Sequence, residues 1–254
     1  SMSMDDSTPD AAIRDRLRPL TSWLFDHYWR VETRGLEHIP EQGPVLLIGN
    51  HSGTLPLDAA MIAHAVEGAR GRTVRPLYDR WADNQPRVAS VMKALGGVTA
   101  SYRAAEDLLT AGEAVLIFPE GVAGVAKLFS ERYRLRGFAT SAGRLALKHR
   151  VPIVPFGLVG AEEASPMLAR SLEVGEKLGL PYLPMTAGAA VVGPLGLLPL
   201  PTKWVLRFGR RIYLHRERRF ATNPDPEIVA QRLQRAVQNQ LSRELGKRRS
   251  LFLG

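Results

Sequence analysis

Short apolar runs bounded by turn residues recur along this chain, and each is followed by a stretch with helical spacing. That alternation constrains the fold more than any other feature. Strands joined through helices pair side by side in parallel, and the helices cover the faces of the sheet. Pro44–Gly49, Thr73–Tyr78, Val98–Ser101, Glu113–Phe118 and Pro152–Phe156 read as strands. Leu57–Val66, Trp81–Leu95, Ala104–Thr110 and Phe138–Lys148 read as the intervening helices, with Pro86 expected to interrupt the second. A strand over Arg30–Arg34 precedes this series, and strands over Trp204–Phe208 and Arg211–Leu214 follow it. A helix from about Pro226 to Arg248 closes the chain, with Ile228, Leu233, Val237, Leu241 and Leu245 in one apolar stripe. The expected fold is α/β: a single domain over residues 30–254, with a mostly parallel, mixed sheet flanked by helices.

Residues 1–29 are read apart from that domain. Ser1-Met2-Ser3-Met4 is taken as an expression remnant outside the fold. An amphipathic helix over residues 10–29, opened by Asp10, follows. Leu17, Leu20, Leu24 and Tyr28 recur at helical spacing, Trp23, Phe25 and Trp29 crowd the same segment, and Arg14, Arg16 and Arg18 lie just before. Two placements suit such a helix: packed on the core, or lying in a bilayer interface. Leu178–Thr202 holds no charged residue. Its prolines at 181, 184, 194, 199 and 201 argue against a continuous spanning helix. It reads as an apolar loop region that packs on the domain or dips into a membrane surface.

The formal net charge of +9 is concentrated at one end. Residues 203–254 hold 13 Lys and Arg against 4 Asp and Glu, whereas the rest of the chain holds 21 of each. A local basic surface suits phosphate-bearing partners: an anionic membrane surface, coenzyme A or an acidic carrier protein. Nucleic acid is not expected, because charge alone supports it and no platform of stacking aromatics accompanies the charge. The chain has no cysteine, which excludes disulfides, thiolate metal sites and a cysteine nucleophile. Its six histidines are scattered without paired ligand spacing, so no metal is expected. No Walker or Rossmann glycine fingerprint is present.

Two polar blocks follow two of the predicted strands. The first is Asn50-His51-Ser52-Gly53-Thr54-Leu55-Pro56-Leu57-Asp58, and the second is Phe118-Pro119-Glu120-Gly121. Both therefore lie at carboxyl ends of strands, the edge where open α/β sheets build their sites. A loop leading into the helix at Leu57 brings Asp58 back toward His51. A carboxylate on one imidazole nitrogen fixes the tautomer and leaves the other nitrogen to take a proton from a hydroxyl. Ser52 is out of register for a nucleophile elbow, since the local run is Gly49-Asn50-His51-Ser52-Gly53. Arg132, Arg134 and Arg136 alternate and, with Lys127, suit a phosphate-facing patch or a solvated loop. Glu162 and Glu163 fall after the Pro152–Phe156 strand, as pocket lining or as caps of a following helix.

Asn50-His51, Gly96-Gly97 leading to Arg103, Phe118-Pro119-Glu120-Gly121 and Val151-Pro152-Ile153-Val154-Pro155 occur in that order. Together they resemble the glycerolipid acyltransferase family, the enzymes of the lysophosphatidic acid and glycerol-3-phosphate acyltransferase kind. The resemblance runs from about Val31 to Leu214. It implies transfer of a fatty acyl group from acyl-CoA or acyl-acyl carrier protein to a hydroxyl of a lysolipid or glyceride, with no cofactor beyond that thioester. It implies His51 as general base and Asp58 as its orienting partner, with no acyl-enzyme. Pro119, Glu120 and Gly121 would bind the acceptor, Arg103 would meet phosphate, and Val151–Pro155 would shape the pocket. It also implies peripheral attachment at the cytoplasmic face of a membrane.

Three departures stand out. The family's usual His-x4-Asp is here His-x6-Asp. The Thr-Arg or Thr-Ser that follows Pro-Glu-Gly in many phosphate-binding members is replaced by Val122-Ala123-Gly124-Val125-Ala126-Lys127. Either Lys127 or Arg103 then supplies the cation, or the acceptor carries no phosphate. Finally, His51–Pro56 is closer to the branch resembling diacylglycerol and ether-lipid acyltransferases. The alternatives are a non-catalytic membrane- or lipid-binding protein and a thioester or lipid hydrolase.

Overall fold

The computed structural model describes residues 11–52, 56–121, 129–164, 167–171, 183–186, 199–248 and 250. Nine strands alternate with helices among these residues: β1 (Glu32–Arg34), β2 (Val45–Gly49), β3 (Val74–Tyr78), β4 (Val98–Thr99), β5 (Ala114–Ile117), β6 (Ile153–Val159), β7 (Met167–Ser171), β8 (Leu183–Thr186) and β9 (Val205–Phe208). The helices are α1 (Ala11–Trp23), α2 (Leu57–Arg70), α3 (Pro86–Ala94), α4 (Tyr102–Thr110), α5 (Ser141–His149), α6 (Ala161–Ala164) and α7 (Pro226–Leu245).

Seven strands form one sheet in the order β1-β9-β6-β2-β5-β3-β4. Every neighbouring pair is parallel except β6 with β9, so β1 and β9 run against the other five. This is the expected mostly parallel, mixed α/β sheet. β2 is at its centre and is buried at every position. That burial explains why its sequence is an unbroken apolar run and not an alternation. Successive residues still face opposite sides. Val45 and Leu47 join the core beneath α2, with Met61, Ile62 and Val66. Leu46 and Ile48 join the core on the other face, with Leu108 of α4, Leu145 of α5 and Leu233 of α7. At Gly157 an added Cβ would lie 2.8 Å from the Leu241 nitrogen, so glycine is what lets α7 settle directly on β6.

The N-terminal lead packs on this domain. Arg14 pairs with Glu67 of α2 at 3.1 Å, and a π-helical turn, Leu24–Tyr28, extends α1. Trp29 is buried and stacks on Trp204, ring centroids 4.2 Å apart. Asp10 lies outside the described residues. No helix among the described residues is long and apolar enough to cross a membrane.

Several boundaries differ from expectation. Pro86 opens α3 at its first turn and does not interrupt a helix, because the missing N–H costs nothing there. The residues before it form a 3-10 turn, Arg80–Asn84, held by the Asp79 carboxylate on the Trp81 N–H. Arg211–Leu214 is not a strand. Ile212 makes one isolated bridge to Ile153, and Leu214 begins a 3-10 turn. The run Leu178–Thr202 is not wholly loop: Leu183–Thr186 is β8, paired antiparallel with β7, which the sequence analysis also missed. Residues 187–198 lie outside the described residues.

Candidate active site

β2, β3, β4 and β5 share one direction, so their carboxyl ends reach one edge of the sheet. The chain leaves β2 at Gly49, but Asn50 extends the ladder with its side chain. Its Nδ2 donates to the Leu158 carbonyl at 2.9 Å, and its Oδ1 accepts from the Leu158 N–H at 2.8 Å. Asn50 is completely buried. His51 therefore emerges from a fixed point.

Asp58 sits in the first turn of α2, where a carboxylate suits the positive end of the helix. Its Oδ1 accepts from the Ala59 N–H at 2.7 Å, and its Oδ2 accepts from the Ser52 N–H at 2.9 Å. The same Oδ2 lies 2.6 Å from Nδ1 of His51. The longer His-x6-Asp spacing thus still closes a pair. Facing a carboxylate, Nδ1 carries the ring proton, and Nε2 is left as an acceptor. The Asp58 side chain is wholly buried, whereas that of His51 is 24% exposed. Ser52 is buried, and its Oγ is 3.5 Å from Asp58 Oδ2, so its hydroxyl is engaged by the carboxylate.

The imidazole lies flat on Phe118, with centroids 4.0 Å apart and planes inclined by 11°. Phe118 in turn meets Phe156 edge-on at 6.2 Å. The two sequence blocks are therefore in contact. A cavity of about 330 Å³ opens beside them, lined by His51, Phe118, Pro119 and Gly121. That size is within the roughly 300–1,000 Å³ of small-molecule sites. Gly121 has φ +56 and donates its N–H to the Phe118 carbonyl at 2.9 Å, which closes the Pro-Glu-Gly turn against the ring. The opposite wall comes from Val88 and Met92 of α3 and from Trp81, and most of the lining is apolar.

The other predicted residues fall elsewhere. Glu120 is buried and does not line the cavity; its Oε2 accepts from the Arg136 N–H at 2.6 Å. Arg103 is on the outer face of α4, its side chain 86% exposed and 3.9 Å from Asp107, and it does not line the cavity. Lys127 lies outside the described residues. Val151–Pro155 does not shape the cavity: Ile153 and Val154 are interior residues of β6, turned into the two cores. Arg132 and Arg136 are not a free phosphate patch, for Arg132 pairs with Glu163 at 3.3 Å and Arg136 with Glu131 at 2.5 Å. Glu162 and Glu163 cap no following helix; they sit in α6 and bond to residues far away in sequence. Arg248, counted with the basic tail, is turned inward onto Glu163.

Sequence reasoning missed Tyr78 at the end of β3, Asp79 just after it, and Ser101 and Tyr102 after β4, all of which line the cavity. The rule that sites gather at the carboxyl ends of parallel strands was enough to find them, since both strands were predicted.

Comparison with known proteins fits this geometry. The model of the family described as Acyltransferase matches residues 30–159. An uncharacterized protein of Mycobacterium leprae is 36% identical over 245 residues, which cover 94% of this chain and 66% of that protein. The chain thus spans about two thirds of the mycobacterial relative's length. The human "DGAT1/2-independent enzyme synthesizing storage lipids" is 28% identical over 189 residues, covering 70% of this chain and 56% of that one. Among solved structures, the 1-acyl-sn-glycerophosphate acyltransferase of Thermotoga maritima superposes with a TM-score of 0.60. That match has 18% identity and covers 94% of this chain and 80% of the other, a likeness of fold.

Proposed function

We propose that this chain, which belongs to the acyltransferase family, moves a fatty acyl group from a thioester to a hydroxyl of a glycerolipid-type acceptor. The observation that carries this reading is the His51–Asp58 pair, whose imidazole opens on an apolar cavity. In the proposed reaction Nε2 of His51 takes the proton as the acceptor oxygen attacks the thioester carbonyl. The tetrahedral adduct collapses, the C–S bond breaks, and the leaving thiolate takes that proton back from Nε2. Asp58 holds the ring and offsets the charge of the transient imidazolium. The flat contact with Phe118 fixes the plane of the ring, and both residues line the cavity.

Within this class we favour an acceptor without phosphate. Among the described residues that line the cavity there is no lysine or arginine, and Asp79 contributes a carboxylate. A phosphomonoester brought there would meet a like charge and gain no cationic partner from those residues. The name of the human relative, an enzyme of storage-lipid synthesis, points the same way. The experiment is release of free thiol from acyl-CoA and from acyl-acyl carrier protein, run with a panel of phosphorylated and unphosphorylated acceptors. Release that depends on a glyceride or other neutral lipid alcohol is the expected result. Preference for lysophosphatidate would overturn the acceptor assignment. Acceptor-independent release would mark a hydrolase, and no release from any donor would leave a lipid-binding protein.

We further propose that α1 rests on an anionic membrane surface. Leu20 and Trp23 stand 56% and 50% exposed on it, and the exposed Arg16 falls on the same side by helical spacing. Such a helix side suits insertion of apolar groups with basic groups at headgroup level. Trp23→Ser is expected to lower partitioning onto anionic vesicles by about tenfold, the effect of withdrawing roughly 1.4 kcal/mol of apolar burial. Co-sedimentation measures it, and unchanged partitioning would remove α1 from the contact.

A further inference from the structure

Tyr133 has φ +62, in the left-handed region that a residue with a bulky side chain rarely adopts. Such strain persists where the surroundings over-determine it, and it gathers at functional sites. Here the surroundings do so from three directions. The Tyr133 N–H donates to Glu162 Oε2 at 2.8 Å, and its carbonyl accepts from Gln238 Nε2 at 3.3 Å. Its buried hydroxyl accepts from the Gly160 N–H at 2.7 Å. Burial and the nearby Glu163 carboxylate push the pKa of that hydroxyl upward, so it stays neutral.

The Glu162 carboxylate also reaches the other way. Its Oε1 accepts from Asn50 Nδ2 at 3.1 Å, and Asn50 immediately precedes His51. Beyond Tyr133 the chain runs to Arg136, whose N–H is held by Glu120, and then to Ala139, which lines the cavity. The Ala139 N–H donates to the Pro119 carbonyl at 2.9 Å. Behind Glu162, the buried Glu163 pairs with Arg132 and with Arg248, and Arg248 Nη1 reaches the Tyr133 hydroxyl at 3.4 Å.

We infer that Glu162 is a positioning residue for the reaction: its carboxylate ties the strand end that carries His51 to the loop that continues into the cavity wall. The inference takes the acyl-transfer reading above as its premise. Asn50 Nδ2 and the Tyr133 N–H are both donors, one to each Glu162 oxygen, so these two contacts call for an acceptor at each oxygen. Glutamine keeps the size but turns an NH2 toward one of the two donors. The Glu163–Arg248 pair is a second layer, which braces Tyr133 from the last turn of the described chain.

The test is steady-state kinetics, a pH–rate profile and hydrogen exchange on Glu162→Gln, Glu162→Ala and Arg248→Gln. Both Glu162 variants are expected to lose about tenfold or more in kcat, as small displacements at a reacting centre do. The KM for the thioester should hold, and the inflection of the profile should stay in place because the His51–Asp58 contact is untouched. Exchange should quicken at residues 50–52 and 131–136, and Arg248→Gln should lower kcat in the same direction but less. A wild-type kcat in a folded Glu162 variant overturns the assignment, and so does a shifted inflection. If the Glu162 variants fold poorly, Arg248→Gln decides, and unchanged kcat and exchange overturn the inference. A wild-type protein inactive with every donor and acceptor would sink the functional reading instead. Exchange at residues 50–52 in Glu162→Gln would then still decide the positioning claim.

Discussion

His51→Ala is expected to lower acyl transfer by about 10²–10⁴-fold, the usual contribution of a general base. The loss should fall on kcat, because the imidazole contributes only a small part of a large apolar cavity wall. The fold should survive. His51 is at the cavity edge, and the buried Asp58 keeps its bonds from the Ser52 and Ala59 N–H groups when the ring is gone. The ring's contact with Phe118 is lost, at a cost of about 0.5–1.5 kcal/mol. Single-turnover kinetics with a radiolabelled acyl thioester measures the rate, and thermal unfolding measures the fold. A variant that transfers at the wild-type rate would remove the base from the mechanism.

Asp58→Asn is expected to cost nearly as much in rate and more in stability. Four donors converge on this carboxylate: the Ala59 N–H on Oδ1, and the Ser52 N–H, His51 Nδ1 and, at 3.5 Å, the Ser52 hydroxyl on Oδ2. An amide has one acceptor oxygen, so its NH2 must face at least one of these donors. If it faces Nδ1, the imidazole takes the other tautomer and Nε2 carries the proton, which disables the base. The rate then falls by about 10²–10⁴-fold. If it faces Ala59 instead, at the Oδ1 position, that buried N–H is left unpaired at about 1–3 kcal/mol. Activity assays and a denaturant midpoint separate the two outcomes. Wild-type activity in this variant would leave Asp58 with a structural role only.

The legible part of the site was the part that is local in sequence. His51 and Asp58 are separated by one strand-to-helix junction, and the fully buried Asp58 is held by the backbone of its own turn. Phe118 to Gly121 was legible for the same reason, as a turn at the end of an apolar run. Glu120 shows the boundary of that reasoning. Its neighbours Pro119 and Gly121 face the cavity, but its own carboxylate turns onto a loop sixteen positions away. A glycine with φ +56 follows it, and periodicity carries no information on where a side chain points within such a turn. Val151–Pro155 failed differently. A proline-flanked apolar run reads equally well as pocket wall or as core, and the pairing of β6 with both β2 and β9 makes it core.

What the amino-acid order determined by itself was the alternation of strands and helices, the polar edge at the strands' carboxyl ends and the pairing of His51 with Asp58. These depend on side-chain period and on short chain segments, which are written in consecutive residues. What only the tertiary structure decided was the company each charged group keeps. Asn50 and Glu162 meet across 112 positions, and Arg248 comes inward to Glu163 across 85. Such contacts arise because burying an ionic group demands a partner from whichever element the packing brings near. Packing geometry is a property of the assembled sheet and helices and of no single stretch of the chain.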